Sequence, residues 1–83
     1  MAQEKLTTAE QNLINDLAWD RNSDKPISIS NPYSGQSCEL DARGVALHDF
    51  IKGCEALGLN QKFSLGISLF AKLYPSQYYT LLD

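Results

Sequence analysis

The sequence predicts a small α+β domain, mostly helical: an N-terminal helix, a short β-hairpin, then two or three packed helices. Three observations predict it. Apolar residues recur at helical spacing over residues 13–18 and again over 45–57. Residues 27–40, between them, switch to a period of two around a Pro/Gly turn. The chain has 83 residues, 43% of them hydrophobic, so it is a single domain, 1–83, with no room for a large active-site cleft beside its core.

Met1–Lys5 reads as a frayed end. Thr7-Thr8-Ala9-Glu10 is a capping box: the Thr7 hydroxyl meets an orphan amide and Glu10 reaches back. Leu13, Ile14, Leu17 and Ala18 then share one helical face, which predicts a helix from about Thr8 to Trp19, ended by Asn22, Ser23, Asp24 and Pro26.

Ile27 and Ile29 alternate with serines, as Cys38 and Leu40 alternate with Ser37 and Glu39. Asn31-Pro32-Tyr33-Ser34-Gly35 lies between, with Pro suited to the second turn position and Gly to a positive φ. This predicts a hairpin with a four- or five-residue loop. A lone hairpin is marginal, so its apolar face must lie on the helices.

Asp41 is a good N-cap, with Leu40 before it and Val45 as its staple partner. Leu47, Phe50, Ile51, Cys54 and Leu57 form the strongest helical stripe in the chain, and Gly58 stops the helix. Leu47, Phe50 and Ile51 are therefore expected in the core. Phe63–Tyr74 fits both periods, but its length favours a helix, and Gly66 within it suggests close helix packing. Pro75 restarts the chain into one or two more helical turns, packing Tyr78 and Leu81 or Leu82.

Ten acids against seven bases give a net charge of −3, with the excess acid in residues 1–40. That argues against a general nucleic-acid binder, which needs a basic surface to displace counterions. Residues 1–15 hold neither an uninterrupted apolar run nor a small-residue cleavage site, so no signal peptide is expected. No run approaches the length of a transmembrane helix, and no membrane partner is expected. Cys38 and Cys54 are no disulfide framework and read as free thiols in a reducing cytoplasm, although spacing alone leaves a single bridge open.

Candidate chemistry is sparse. Cys38, His48 and Cys54 are the soft ligands, but no CxxC or HxxxH pairs them, and no metal site or cofactor is expected. His48 and Cys54 lie on different faces of one helix, which weakens a Cys/His nucleophile. His48 and Asp49 are adjacent, so their side chains diverge by about 100° on a helix, which weakens Ser/His/Asp chemistry. No glycine-rich phosphate loop is present. No catalytic residues are expected. Helix two, the turn at Gly58 and helix three resemble a helix-turn-helix, but residues 41–74 carry little net charge and the would-be recognition helix turns apolar after Lys62.

Two places suggest binding. On the predicted first helix Asn12, Asp16, Trp19 and Asp20 lie away from the apolar stripe. A solvated face accounts for them. Alternatively, Asp16 and Asp20 flank Trp19 as a patch for a basic groove on a partner, the carboxylates speeding encounter and Trp19 supplying contact energy. Trp19 itself either packs under the hairpin or stands exposed. Tyr33, on the hairpin loop, is the second place.

Asn31-Pro32-Tyr33-Ser34-Gly35, Cys38-Glu39-Leu40, the run Val45 to Gly53 and the closing Tyr78-Tyr79-Thr80-Leu81-Leu82-Asp83 resemble small uncharacterised proteins encoded by tailed bacteriophages. The resemblance covers residues 31–83 and brings no catalytic residues. It implies a setting: small acidic proteins of this kind often bind a host protein, anti-CRISPR proteins and inhibitors of host polymerases among them. The expectation is a non-enzymatic, cytoplasmic protein that binds a host protein, such as a nucleic-acid-processing defence or replication enzyme, and not nucleic acid itself. A DNA-binding helix-turn-helix regulator is the alternative.

Overall fold

The computed structural model describes residues 5–20, 22, 23 and 25–82. Much of the expected frayed end, residues 1–4, and Asp24 of the expected helix stop lie outside them. Among the described residues the order is α1 (Thr8–Asp16), β1 (Ile27–Ser30), β2 (Ser37–Leu40), α2 (Ala42–Leu57), α3 (Asn60–Leu73) and α4 (Pro75–Leu81). The α+β, mostly helical class is as the periodicities predict. No helix is long and apolar enough to cross a membrane among the described residues.

Short-range signals place most boundaries. The α1 box closes both ways: Thr7 N–H donates to Glu10 Oε1 at 2.8 Å, and Glu10 N–H to Thr7 Oγ1 at 3.1 Å. Asp41 Oδ1 accepts from Gly44 N–H at 2.8 Å and caps α2. Gly58, at φ +71°, ends α2 in a Schellman motif, with Leu59 N–H donating to Cys54 O and Gly58 N–H to Glu55 O. Tyr74 ends α3 and directly precedes Pro75, the first residue of α4.

The helical period wins over residues 63–74, and α3 begins three residues earlier, at Asn60. Its Gly66 lets α2 approach: a Cβ there would meet Ile51 Cγ1 at 2.7 Å. The hairpin pairs Ile27 with Leu40 and Ile29 with Cys38, so its apolar residues share one face. Leu40 from that face joins the core of Ile14, Leu47, Ile51, Leu69, Phe70, Tyr74 and Leu81. Helix α4 covers β2, where Gln77 Nε2 donates to Glu39 O at 3.2 Å.

Four expectations need correction. Helix α1 stops at Asp16 rather than Trp19, since Leu17 is already extended at ψ 136°. Carboxylates at Asp16 and Asp20 would sit at the negative end of the helix dipole. Asp20 instead starts a turn, its Oδ1 accepting from Asn22 N–H at 3.0 Å and its carbonyl from Ser23 N–H at 3.2 Å. Leu57, the last residue of α2 before the Gly58 turn, is 75% exposed, so the stripe is not buried along its whole length. Phe50 is half-buried, whereas Leu47 and Ile51 are fully buried. The hairpin loop spans residues 31–36, longer than expected.

Candidate protein-binding surface

The hairpin tip places Tyr33 at 92% exposure. Its loop is held from within. Asn31 Oδ1 accepts from Tyr33 N–H at 2.8 Å and Ser34 N–H at 3.4 Å, an Asx turn. Gly35, at φ +76°, donates its N–H to Asn31 O at 2.9 Å, and Asn31 N–H donates to Gln36 O at 2.7 Å. Asn31 Nδ2 also donates to Thr80 O at 3.0 Å, tying the loop to the last turn of α4. That bond brings the turn that carries Tyr79, 68% exposed, beside the loop that carries Tyr33.

The other expected binding residues do not gather there, nor on one helical face. Asp16 is the last residue of α1 and lines a groove with Leu13, Leu17, Phe50, Lys62 and Leu65. Trp19 and Asp20 lie past the helix end, so the face that would have joined them to Asp16 is absent. Trp19 is half-buried with its indole Nε1 closed off from solvent, and Asp20 is exposed.

Among the described residues Glu10 is a charged side chain in the interior, 1% exposed. Besides its cap, it accepts from Ser68 Oγ at 2.7 Å and pairs with Lys72 Nζ at 2.7 Å. Burial pushes its carboxyl up, but the hydrogen bonds from Lys72, Thr7 and Ser68 and the Lys72 charge outweigh that and hold it at about 2. A second cluster centres on Tyr74, whose hydroxyl donates to Asp41 Oδ1 at 2.7 Å and accepts from Arg43 Nε at 2.8 Å. Burial, with the Asp41 carboxylate, raises Tyr74 to about 12. The Asp41 carboxyl is raised by burial and lowered further by its bonds from Tyr74 and Gly44, ending below its ordinary value. Both clusters staple elements together, α1 to α3 and the β2–α2 corner to the α3–α4 corner. Sequence reasoning missed both pairings, although it named Glu10 and Asp41 as caps.

Cys38 and Cys54 are free thiols, Cys54 in the core. Burial pushes the Cys38 thiol up, away from a reactive thiolate. His48 is half-buried, 6.3 Å from Phe70 between ring centroids, and burial lowers its pKa, as does Lys52. Among the described residues no three His, Cys, Asp or Glu side chains come together as metal ligands. No family model, curated protein or solved structure matches the chain.

Proposed function

We propose that the chain is a non-enzymatic protein-binding module that docks through its hairpin tip, with Tyr33 as the anchor. One observation carries this reading: an aromatic ring left 92% in water on a loop whose backbone is already bonded in place. Such a ring offers large contact area at low ordering cost, the combination that makes Tyr frequent at binding hot spots.

The resemblance of residues 31–83 suggests the target class, a host defence or replication enzyme in the cytoplasm of an infected cell. A helix-turn-helix regulator draws less support. Its recognition helix would be α3, whose Ser68 and Lys72 are occupied by Glu10 of α1.

The test places a photo-crosslinking amino acid at position 33 and, as control, at the exposed Glu55. Crosslinking in host lysate should join one protein to the position-33 variant and not to the control. Equal labelling at both positions, or none at 33, counts against the hairpin tip. A salt-dependent shift of random duplex DNA would favour the regulator.

A further inference from the structure

The two outer edges of the hairpin differ. On β2 the edge is taken: α4 packs on the strand, and Gln77 Nε2 donates to the Glu39 carbonyl at 3.2 Å. On β1 it is open. Asn31 N–H donates to Gln36 O across the hairpin, so in the register that pairs Ile27 with Leu40 and Ile29 with Cys38, the odd-numbered residues of β1 bond inwards to β2. Ser28 and Ser30 therefore turn their N–H and C=O groups outwards. Among the described residues those groups have no hydrogen-bond partner, and both serines are exposed. Such an edge is a template for a further strand, and β1 has no charge, proline or bulge within it to prevent pairing.

The chemistry of this edge is self-complementary. In Pro26-Ile27-Ser28-Ile29-Ser30-Asn31-Pro32 the outward residues read the same from either end: proline, serine, serine, proline. Set antiparallel to itself about Ile29, the strand places Ser28 opposite Ser30 of the second copy, and Ser30 opposite its Ser28. Every outward serine N–H then meets a serine carbonyl. Ile29 meets Ile29 at the position where cross-strand side chains are closest. A slip of two residues in either direction sets a proline, which has no N–H, against a serine carbonyl. A slip of one meets groups already bonded inwards to β2.

We infer that β1 pairs with β1 of a second copy of this chain, antiparallel and centred on Ile29, giving a two-fold symmetric sheet in the order β2-β1-β1-β2. Because α4 occupies the other edge, the assembly closes at the dimer instead of growing into a fibre. The strand has four residues, about 13 Å, which places the contact at the small end of interfaces and makes the dimer concentration-dependent. The inference concerns an edge that the Tyr33 reading leaves unassigned, and it does not depend on that reading.

The test is sedimentation velocity on the full chain over about a hundredfold range of concentration, where the wild type should pass from monomer to dimer. Charges at the two exposed serines read the register. Ser28→Lys/Ser30→Glu sets opposite charges across the two-fold axis and should tighten the dimer about threefold, whereas Ser28→Lys/Ser30→Lys sets like charges there and should weaken it about threefold. Ser28→Pro removes an outward N–H that the hairpin itself does not use and should abolish the dimer, while Ser28→Ala should not. Amide exchange at Ile27 and Ile29 checks the hairpin in each variant; if proline disturbs it, the two charge variants decide. In a mixture of isotope-labelled and unlabelled protein, a filtered NOE should join the Ile29 Hα atoms of the two copies. A wild type that stays monomeric throughout overturns the inference. So does a dimer that responds alike to both charge patterns, or assembly that continues past the dimer.

Discussion

Glu10 Oε1 lies 2.7 Å from Lys72 Nζ, and the two residues are 62 positions apart in sequence. One carboxylate thus caps α1 and fastens it to α3. The fold follows from such double use: an 83-residue chain has little core to spare, so caps also serve as tertiary contacts.

Acid should undo that fastening. The Glu10 pKa is depressed from 4.5 to about 2, so its contribution is fully present above about pH 4.5 and is lost as pH falls towards 2. The shift corresponds to at most about 3 kcal/mol, less whatever solvent screening removes at the partly exposed Lys72. Urea unfolding at pH 7 and pH 3 should show this loss in the wild type and a flatter acid limb in Glu10→Gln. Glu10→Ala should cost about 3–5 kcal/mol at pH 7. Identical acid limbs in wild type and Glu10→Gln would show that another group carries the linkage.

Tyr74→Phe should remove a donor to Asp41 and an acceptor for Arg43, costing about 1–3 kcal/mol. The Asp41 carboxyl should titrate higher in the variant, because one bond that lowers it is gone. Carbon-detected NMR titration of Asp41 reads this, and an unmoved midpoint would mean that the hydrogen bond is weak.

Two glycines of the helical pair α2–α3 should respond in opposite directions to alanine. At Gly66 a methyl would meet the fully buried Ile51 at 2.7 Å, and overpacking of about 1–3 kcal/mol should exceed the helix-propensity gain of about 1 kcal/mol. At Gly53 nothing lies within 4 Å, so alanine should stabilise by up to about 1 kcal/mol. Denaturation midpoints moving the same way in both variants would refute the packing described.

Gly35→Val should destabilise through backbone strain alone, since φ is +76° and no atom lies within 4 Å of the added Cβ. Gly35→Asn, which tolerates this conformation better, should recover part of the loss. A valine variant as stable as the wild type would mean that the loop is not held at this angle.

Legibility in the sequence tracked the range of the physics. Thr7, Asp41, Gly58, Gly35 and Pro75 act on neighbours within a few residues, and each was readable. The end of α1 was not, because Leu17-Ala18-Trp19 continues the apolar pattern and the competing turn at Asp20 is weakly signalled. Glu10 read as a cap because its other partners, Ser68 and Lys72, come from α3. Tyr33 was readable as a candidate since a turn exposes what it carries. Asp16 was named for a face that the helix is too short to form, and the groove that it does border needs three elements to exist.

Tyr33, on a loop whose backbone is already bonded in place, is proposed to anchor a partner protein. Surface plasmon resonance with the crosslinked partner, comparing wild type with Tyr33→Ala, tests it most directly. Tyr33→Ala should leave the fold unchanged and speed dissociation roughly 30-fold, the equivalent of about 2 kcal/mol. A Tyr33→Ala variant that dissociates at the wild-type rate would contradict the claim.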